Sequence, residues 1–179
     1  MIRAGITGMN GFIGSNLRRY LMYFEPKVQV VEFSREWFDQ PVKMDEFVRS
    51  CDVIVHLAAV NRHPDPAYVE HRNLELSERL LEALQRTGGT PDLIFTSSTQ
   101  EDRDTPYARA KRHARKSLAE WAERTGAAYT GLIIPNVFGP FGEPYHHSVV
   151  TTFCHQLHTG EKPEILVDAE VSFISMMEV

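Results

Sequence analysis

Ile2-Arg-Ala-Gly-Ile-Thr-Gly-Met-Asn-Gly-Phe-Ile-Gly14 is the stretch that decides the fold. An apolar run (Ile2, Ala4, Ile6) ends at Thr7, and three glycines follow at three-residue spacing: Gly8, Gly11 and Gly14. Phe12, Ile13, Leu17, Tyr20 and Leu21 then recur at helical intervals. Strand, glycine turn and helix, in that order, are how an open α/β sheet receives a pyrophosphate. Gly8 permits the tight turn, Gly11 lets backbone N–H groups approach phosphate, and Gly14 lets helix and strand pack closely. The helix N-terminus adds positive partial charge. Asn10, Phe12 and Ile13 belong to the same turn and are read with the glycines as cofactor-binding. Glycine triplets occur in many turns; the strand before this one and the helix after it make it a dinucleotide site.

Outward from that turn, Lys27 to Phe33 alternates and is rich in β-branched residues, which predicts a second strand and closes a βαβ unit. The residue past its end faces the adenosine ribose. An acid there suits the 2′-hydroxyl of NAD, and an arginine suits the 2′-phosphate of NADP. Glu32 and Ser34-Arg35 both stand near that end. A strand ending at Phe33 selects Ser34 and Arg35, and hence NADP with NAD as the alternative. Residues 36–50 are short and polar, with Met44, Phe47 and Val48 at helix-like spacing. Asp52-Val-Ile-Val-His-Leu-Ala-Ala59 is a continuous apolar run of the kind buried on both faces of a parallel sheet. Its last residues, Leu57, Ala58 and Ala59, are placed beneath the nucleotide.

A proline-containing loop leads to a helix over 67–86 with Leu74, Leu80, Leu81 and Leu84 as its buried stripe, closed by Gly88-Gly89. Asp92 to Thr96 is a further buried strand, followed by Ser97-Ser98-Thr99-Gln100, a helix over 107–125 and a strand over 128–134. Strands alternating with helices predict an α/β chain, a Rossmann-like doubly wound parallel sheet with helices on both faces. The prediction spans 1–179 as one NAD(P)-binding domain, with about 141–179 the start of an incomplete substrate lobe.

The 179 residues, 42% hydrophobic and 24% charged, are enough for a real core. A net charge of −5 gives no footprint for nucleic acid. No apolar stretch approaches the ~18 residues of a membrane span, and the N-terminus has no signal-peptide pattern. Cys51 and Cys154 are isolated and the eight histidines form no HxxxH or HExxH grouping, so a cytoplasmic chain without a metal site is expected.

Tyr107 and Lys111 lie four apart at the start of a helix and project from one face. Ser98 ends the preceding strand, nine residues earlier. Ligands of open α/β sheets bind at the carboxyl ends of the strands, so all three converge beside a nicotinamide. An ammonium beside the phenol is expected to bring Tyr107 toward neutral pH as an acid/base. Lys111 also holds the nicotinamide ribose, and the Ser98 hydroxyl polarises a carbonyl. The trio suits hydride transfer at a C–OH/C=O centre.

With Thr7-Gly-Met-Asn-Gly-Phe-Ile-Gly14, His56-Leu-Ala-Ala59, Ser97-Ser98-Thr99, Tyr107-Ala-Arg-Ala-Lys111 and Pro135-Asn-Val-Phe-Gly-Pro140 in this order, the chain resembles an extended short-chain dehydrogenase/reductase of the sugar-nucleotide epimerase/dehydratase group. Val60-Asn-Arg62, the run to Gln100 and Ser148-Val-Val-Thr-Thr-Phe-Cys154 narrow the likeness to the reductases of capsular polysaccharide and O-antigen synthesis. Those enzymes reduce a UDP-linked 4-keto-6-deoxy N-acetylated sugar with NADPH. The resemblance implies that Ser98, Tyr107 and Lys111 are catalytic and that Gly8, Gly11, Phe12, Ile13, Gly14, Arg35, Leu57 and Ala58 contact cofactor. It also implies that Pro135 lies at the nicotinamide and that Asn61, Ser98 and Asn136 contact substrate.

The sequence departs from that family in three places. Ile133 stands where many relatives have arginine, and Met177 and Glu178 replace two aspartates of a family segment. Relatives also continue for roughly another hundred residues, which complete a second lobe. The alternatives are a 4-epimerase with bound NAD and a non-catalytic cofactor-binding or interaction module. A 4,6-dehydratase is disfavoured, because Thr99-Gln100 occupies its acid–base positions. Relatives pair such helices across a dimer axis, which implies a homodimer through 67–86 and 107–125; the extra apolar residues Leu76, Leu118 and Trp121 serve either that interface or the core of the monomer.

Overall fold

The computed structural model describes residues 1–165 and 167–179, which fall into two compact units, Met1–Ile133 and Ile134–Val179. In the first unit the glycine turn joins β1 (Ile2–Thr7) to α1 (Phe12–Phe24). Then follow β2 (Val28–Val31), α2 (Pro41–Ser50), β3 (Val53–His56), α3 (Pro66–Thr87), β4 (Asp92–Ser98), α4 (Pro106–Thr125) and β5 (Tyr129–Ile134). The five strands form one sheet in the order β2-β1-β3-β4-β5. Pairings β1–β2, β1–β3 and β3–β4 are parallel. Right-handed crossovers then put α1 on one face and α2, α3 and α4 side by side on the other. This is the predicted doubly wound sheet.

Boundaries differ from the prediction where the side-chain pattern outlasts the hydrogen bonds. The second strand stops at Val31, not Phe33, because Phe33 turns inward and its N–H points to the Met9 sulfur at 3.3 Å. β3 stops at His56, so Leu57 to Ala59 are loop. The stretch 36–50 forms a 3-10 turn, Arg35–Asp39, and a full helix, α2. Its Phe38, Met44, Phe47 and Val48 are buried, and a side chain on Gly5 of β1 would collide with Phe47 and Cys51. The long helices are capped at both ends. Asp65 and Thr105 accept N–H groups of the first turn, and Gly88 and Gly126 end α3 and α4.

Of the two readings of the extra apolar residues on α3 and α4, burial within the protomer holds. Leu76 (5% exposed), Leu118 (0%) and Trp121 (2%) belong to the core of the protomer. Of the expected α3 stripe, Leu80 and Leu84 are fully buried, while Leu74 and Leu81 are half-buried. No helix among the described residues is long and apolar enough to cross a membrane.

The second unit contains β6 (Asn136–Phe138), α5 (Val149–Thr159) and β7 (Phe173–Ser175). β6 and β7 pair in parallel, with Val137 and Met176 buried beside them. Ser148 caps α5, and Tyr145 is tied by its N–H to Thr152 Oγ1 at 2.8 Å and by its hydroxyl to Glu161 at 2.8 Å.

Candidate active site

Strands β1, β2, β3 and β4 run parallel, so their carboxyl ends share one edge. Thr7 of β1, His56 of β3 and Phe95 of β4 lie opposite one another on the last row before that edge. Thr7 Oγ1 and His56 Nδ1 are 2.7 Å apart, and the His56 and Phe95 rings stack at 5.8 Å. Burial, with a smaller push from the Lys111 charge, lowers His56 to about 3. The imidazole is therefore neutral and serves as part of the floor.

Above Thr7 the chain turns at Gly8, whose φ of +77° disfavours any side chain. A Cβ there would also lie 2.9 Å from the Ala58 nitrogen, and one at Gly14 would be driven into the Gly8 carbonyl oxygen. Gly11 donates its N–H to the Gly8 carbonyl at 2.9 Å and is the residue before α1. No side chain caps that helix start and no acid occupies its first turn. The N–H groups at Phe12, Ile13 and Gly14 thus face a cradle that a Cβ would fill, with the dipole of α1 behind it. These residues fit a pyrophosphate. Asn10 is exposed at the tip of the turn, and Phe12 and Ile13 are half-buried.

Leu57, Ala58 and Ala59 form the second wall. Their loop is held to the first by Leu57 N–H to the Thr7 carbonyl at 3.2 Å. It is held to α3 by Asn73, which accepts the Val60 N–H and donates to the Val60 carbonyl, both at 2.8 Å. Asn61 follows, exposed. Ser34 and Arg35 begin the 3-10 turn after β2, with the Ser34 hydroxyl donating to Glu36 and Arg35 exposed. Glu32, the first residue past β2, is paired with Arg18 of α1 at 2.9 Å.

The third wall comes from β4 and α4. Ser98 ends β4 and accepts the Gln100 N–H at 3.2 Å, which leaves its O–H to donate elsewhere. Lys111 is buried and donates to the Thr96 carbonyl at 2.9 Å, its ammonium 4.9 Å from the Phe95 ring centre and 5.9 Å from that of Tyr107. Burial lowers Lys111 to about 8 against an opposing pull from Glu101. The expectation that this ammonium draws Tyr107 toward neutrality is corrected. Burial, then the Glu101 charge, pushes the phenol up to about 12, while the Lys111 ammonium is directed at the Thr96 carbonyl. The pair at rest is a protonated phenol beside a buried ammonium.

Sequence reasoning missed Glu101 and Asn73. Asn73 carried a signal, a polar residue inside an otherwise apolar helical stripe. Glu101 carried none, since its burial depends on Arg115, fourteen residues away. Pro135 and Asn136 belong to the second unit, where Asn136 donates to the Ser172 carbonyl at 3.4 Å. That unit also holds Glu143, His146 and His147 with potential ligand atoms within 4.8 Å of one another. His147 Nδ1 accepts the Glu143 N–H at 2.7 Å, which puts the ring proton on Nε2 and leaves no lone pair for a metal.

Comparison with known proteins adds the following. A model of the NAD dependent epimerase/dehydratase family matches residues 4–173. Over 152 residues, 85% of the chain, it is 38% identical to the UDP-2-acetamido-2,6-beta-L-arabino-hexul-4-ose reductase of Pseudomonas aeruginosa, of which it spans 40%. Among solved structures, the capsular polysaccharide assembling protein CapF from Staphylococcus aureus aligns over 98% of this chain and 46% of its own, with a TM-score of 0.80 and 26% identity. RMD from Pseudomonas aeruginosa, solved with NADPH, aligns over 99% of this chain and 69% of its own, with a TM-score of 0.85 and 21% identity; that likeness is one of fold.

Proposed function

Because the chain belongs to the NAD dependent epimerase/dehydratase family, we propose that it carries the cofactor half of an NADP-dependent reductase. Its reaction converts the 4-keto group of a UDP-linked deoxy-sugar to an alcohol, in the cytoplasm, for surface polysaccharide synthesis. The observation that carries the reading is the Tyr107–Lys111 pair on α4, two strands along one sheet edge from the glycine cradle. The relative of Pseudomonas aeruginosa named above as a 4-ulose reductase points the same way.

The bound dinucleotide supplies the hydride. Tyr107, protonated at rest, gives its proton to the carbonyl oxygen, and the free O–H of Ser98 steadies that oxygen. Lys111, anchored to Thr96, supplies positive charge as the phenolate forms. A protonated phenol suits reduction, whereas an enzyme that begins by oxidising an alcohol, as an epimerase does, needs the phenolate first. The NAD alternative has one observation behind it, since Glu32 is the first residue past β2. Its carboxylate is held by Arg18 and Phe33 is buried, so the exposed Arg35 is the group available to a 2′-phosphate.

Tyr107→Phe tests the reading. NADPH consumption with a UDP-linked 4-keto-6-deoxy N-acetylhexosamine is expected to fall roughly 10²–10⁴-fold. NADPH affinity should hold within about twofold, since the phenol adds little to ground-state cofactor binding, and NADH should bind more weakly than NADPH. Unchanged turnover in Tyr107→Phe would remove the pair from the chemistry.

A further inference from the structure

Between β4 and α4 the chain makes a 3-10 turn, Thr99–Asp102, and Glu101 within it is buried at 5% exposure. A carboxylate in such a place needs partners. Ser97 Oγ donates to it, and Arg115 of α4 reaches both oxygens, with Nε at 3.1 and 3.0 Å and a terminal nitrogen at 2.9 Å. The guanidinium of Arg112 donates to the main-chain carbonyls of Glu101 and Arg103, the latter at 3.0 Å. The turn is therefore latched to β4 through Ser97 and to α4 through two arginines. Ser98 is the residue that caps this turn, and Tyr107 stands at the start of the helix to which it is fastened.

The charge balance is lopsided. The Glu101 side chain is 6% exposed and that of Arg115 is 42% exposed, so the negative member sits in the dry interior while its partner faces water. Solvent screens the arginine more than the carboxylate, and a net negative field remains on the inner side. The charged and titratable groups around Lys111 are Tyr107, Arg112 and Arg115 on its own helix, Glu101 on the turn and the neutral His56 on β3. Of these, Glu101 acts on both Tyr107 and Lys111.

We propose that Glu101 is a positioning residue for the Tyr107–Lys111 pair: it latches the turn that joins Ser98 to Tyr107 and places one buried negative charge at the foot of the helix that carries the pair. The proposal rests on reading that pair as the reacting groups. Glu101 touches neither substrate nor cofactor; it acts through its neighbours.

The test follows the titration of Lys111 by NMR of lysines labelled at the ε-carbon, assigned with Lys111→Arg and measured on the whole chain without cofactor. Glu101→Gln is expected to move the Lys111 midpoint down from about 8 by about one unit. Arg115→Gln, which keeps the carboxylate and removes its counter-charge, is expected to move it up. Where turnover is measured, the pH profile should shift in the same two directions, with kcat reduced and KM unchanged. A folded Glu101→Gln chain with an unmoved Lys111 overturns the proposal. If Glu101→Gln does not fold, Arg115→Gln decides alone: a rise supports the proposal and no shift overturns it. Midpoints that move as expected, together with full turnover in Tyr107→Phe, would leave the charge coupling standing and bring down the reductase reading instead.

Discussion

His56 lies between Thr7, Phe38 and Phe95 at 2% exposure, a position where an imidazolium has no counter-charge. Its folded value of about 3 lies below the ordinary 6.5, so the stability it contributes is fully present above pH 6.5 and is lost as pH falls toward 3. By pH 5 the loss amounts to about 2 kcal/mol. Urea unfolding of the wild type and of His56→Gln across that range checks this; parallel slopes would mean that the ring is not the titrating group. That Tyr107 and Lys111 share one face of the helix after the strand that Ser98 ends was legible from their spacing and order. The state of the phenol was not. It depends on how deeply α4 packs and on where the Lys111 ammonium turns, and neither follows from a four-residue interval.

Helix α3 announced itself through its apolar stripe and the glycines that close it. Strand ends were harder to read, since Leu57 to Ala59 continue an apolar run with no change of composition where the ladder stops. A side chain settles the matter. Asn73 on α3 takes over the hydrogen bonds of Val60 that a longer strand would have made, and also donates to the Val69 carbonyl at 2.9 Å. Asn73→Ala strands two main-chain groups of the cofactor-facing loop, which costs about 1–3 kcal/mol. Unfolding midpoints should fall accordingly, and NADPH affinity should weaken several-fold because Ala58 and Ala59 lose their anchor. A variant of wild-type stability and affinity would show that the loop holds itself.

At the scale of the molecule, the sequence read the doubly wound parallel sheet well, because strands alternating with helices leave few alternatives. It left open which apolar residues were spare. Leu76, Leu118 and Trp121 are used inside the protomer, and Tyr68 is the one large apolar residue exposed on α3 or α4. The outer faces carry His71, Glu78, Glu82, Arg109, Lys116 and Glu120. Light scattering of this chain at micromolar concentration should therefore give the mass of a single copy, and a doubled mass would show that the polar faces associate. The row Thr7–His56–Phe95 has a last consequence. Adjacent strands stand about 4.8 Å apart, so β1 and β4 are separated by roughly 10 Å of hydrogen-bonded backbone. That interval is a built-in ruler. It sets the spacing of the two strands on which phosphate cradle and phenol are mounted, and the short turns above them add only the remainder of the reach.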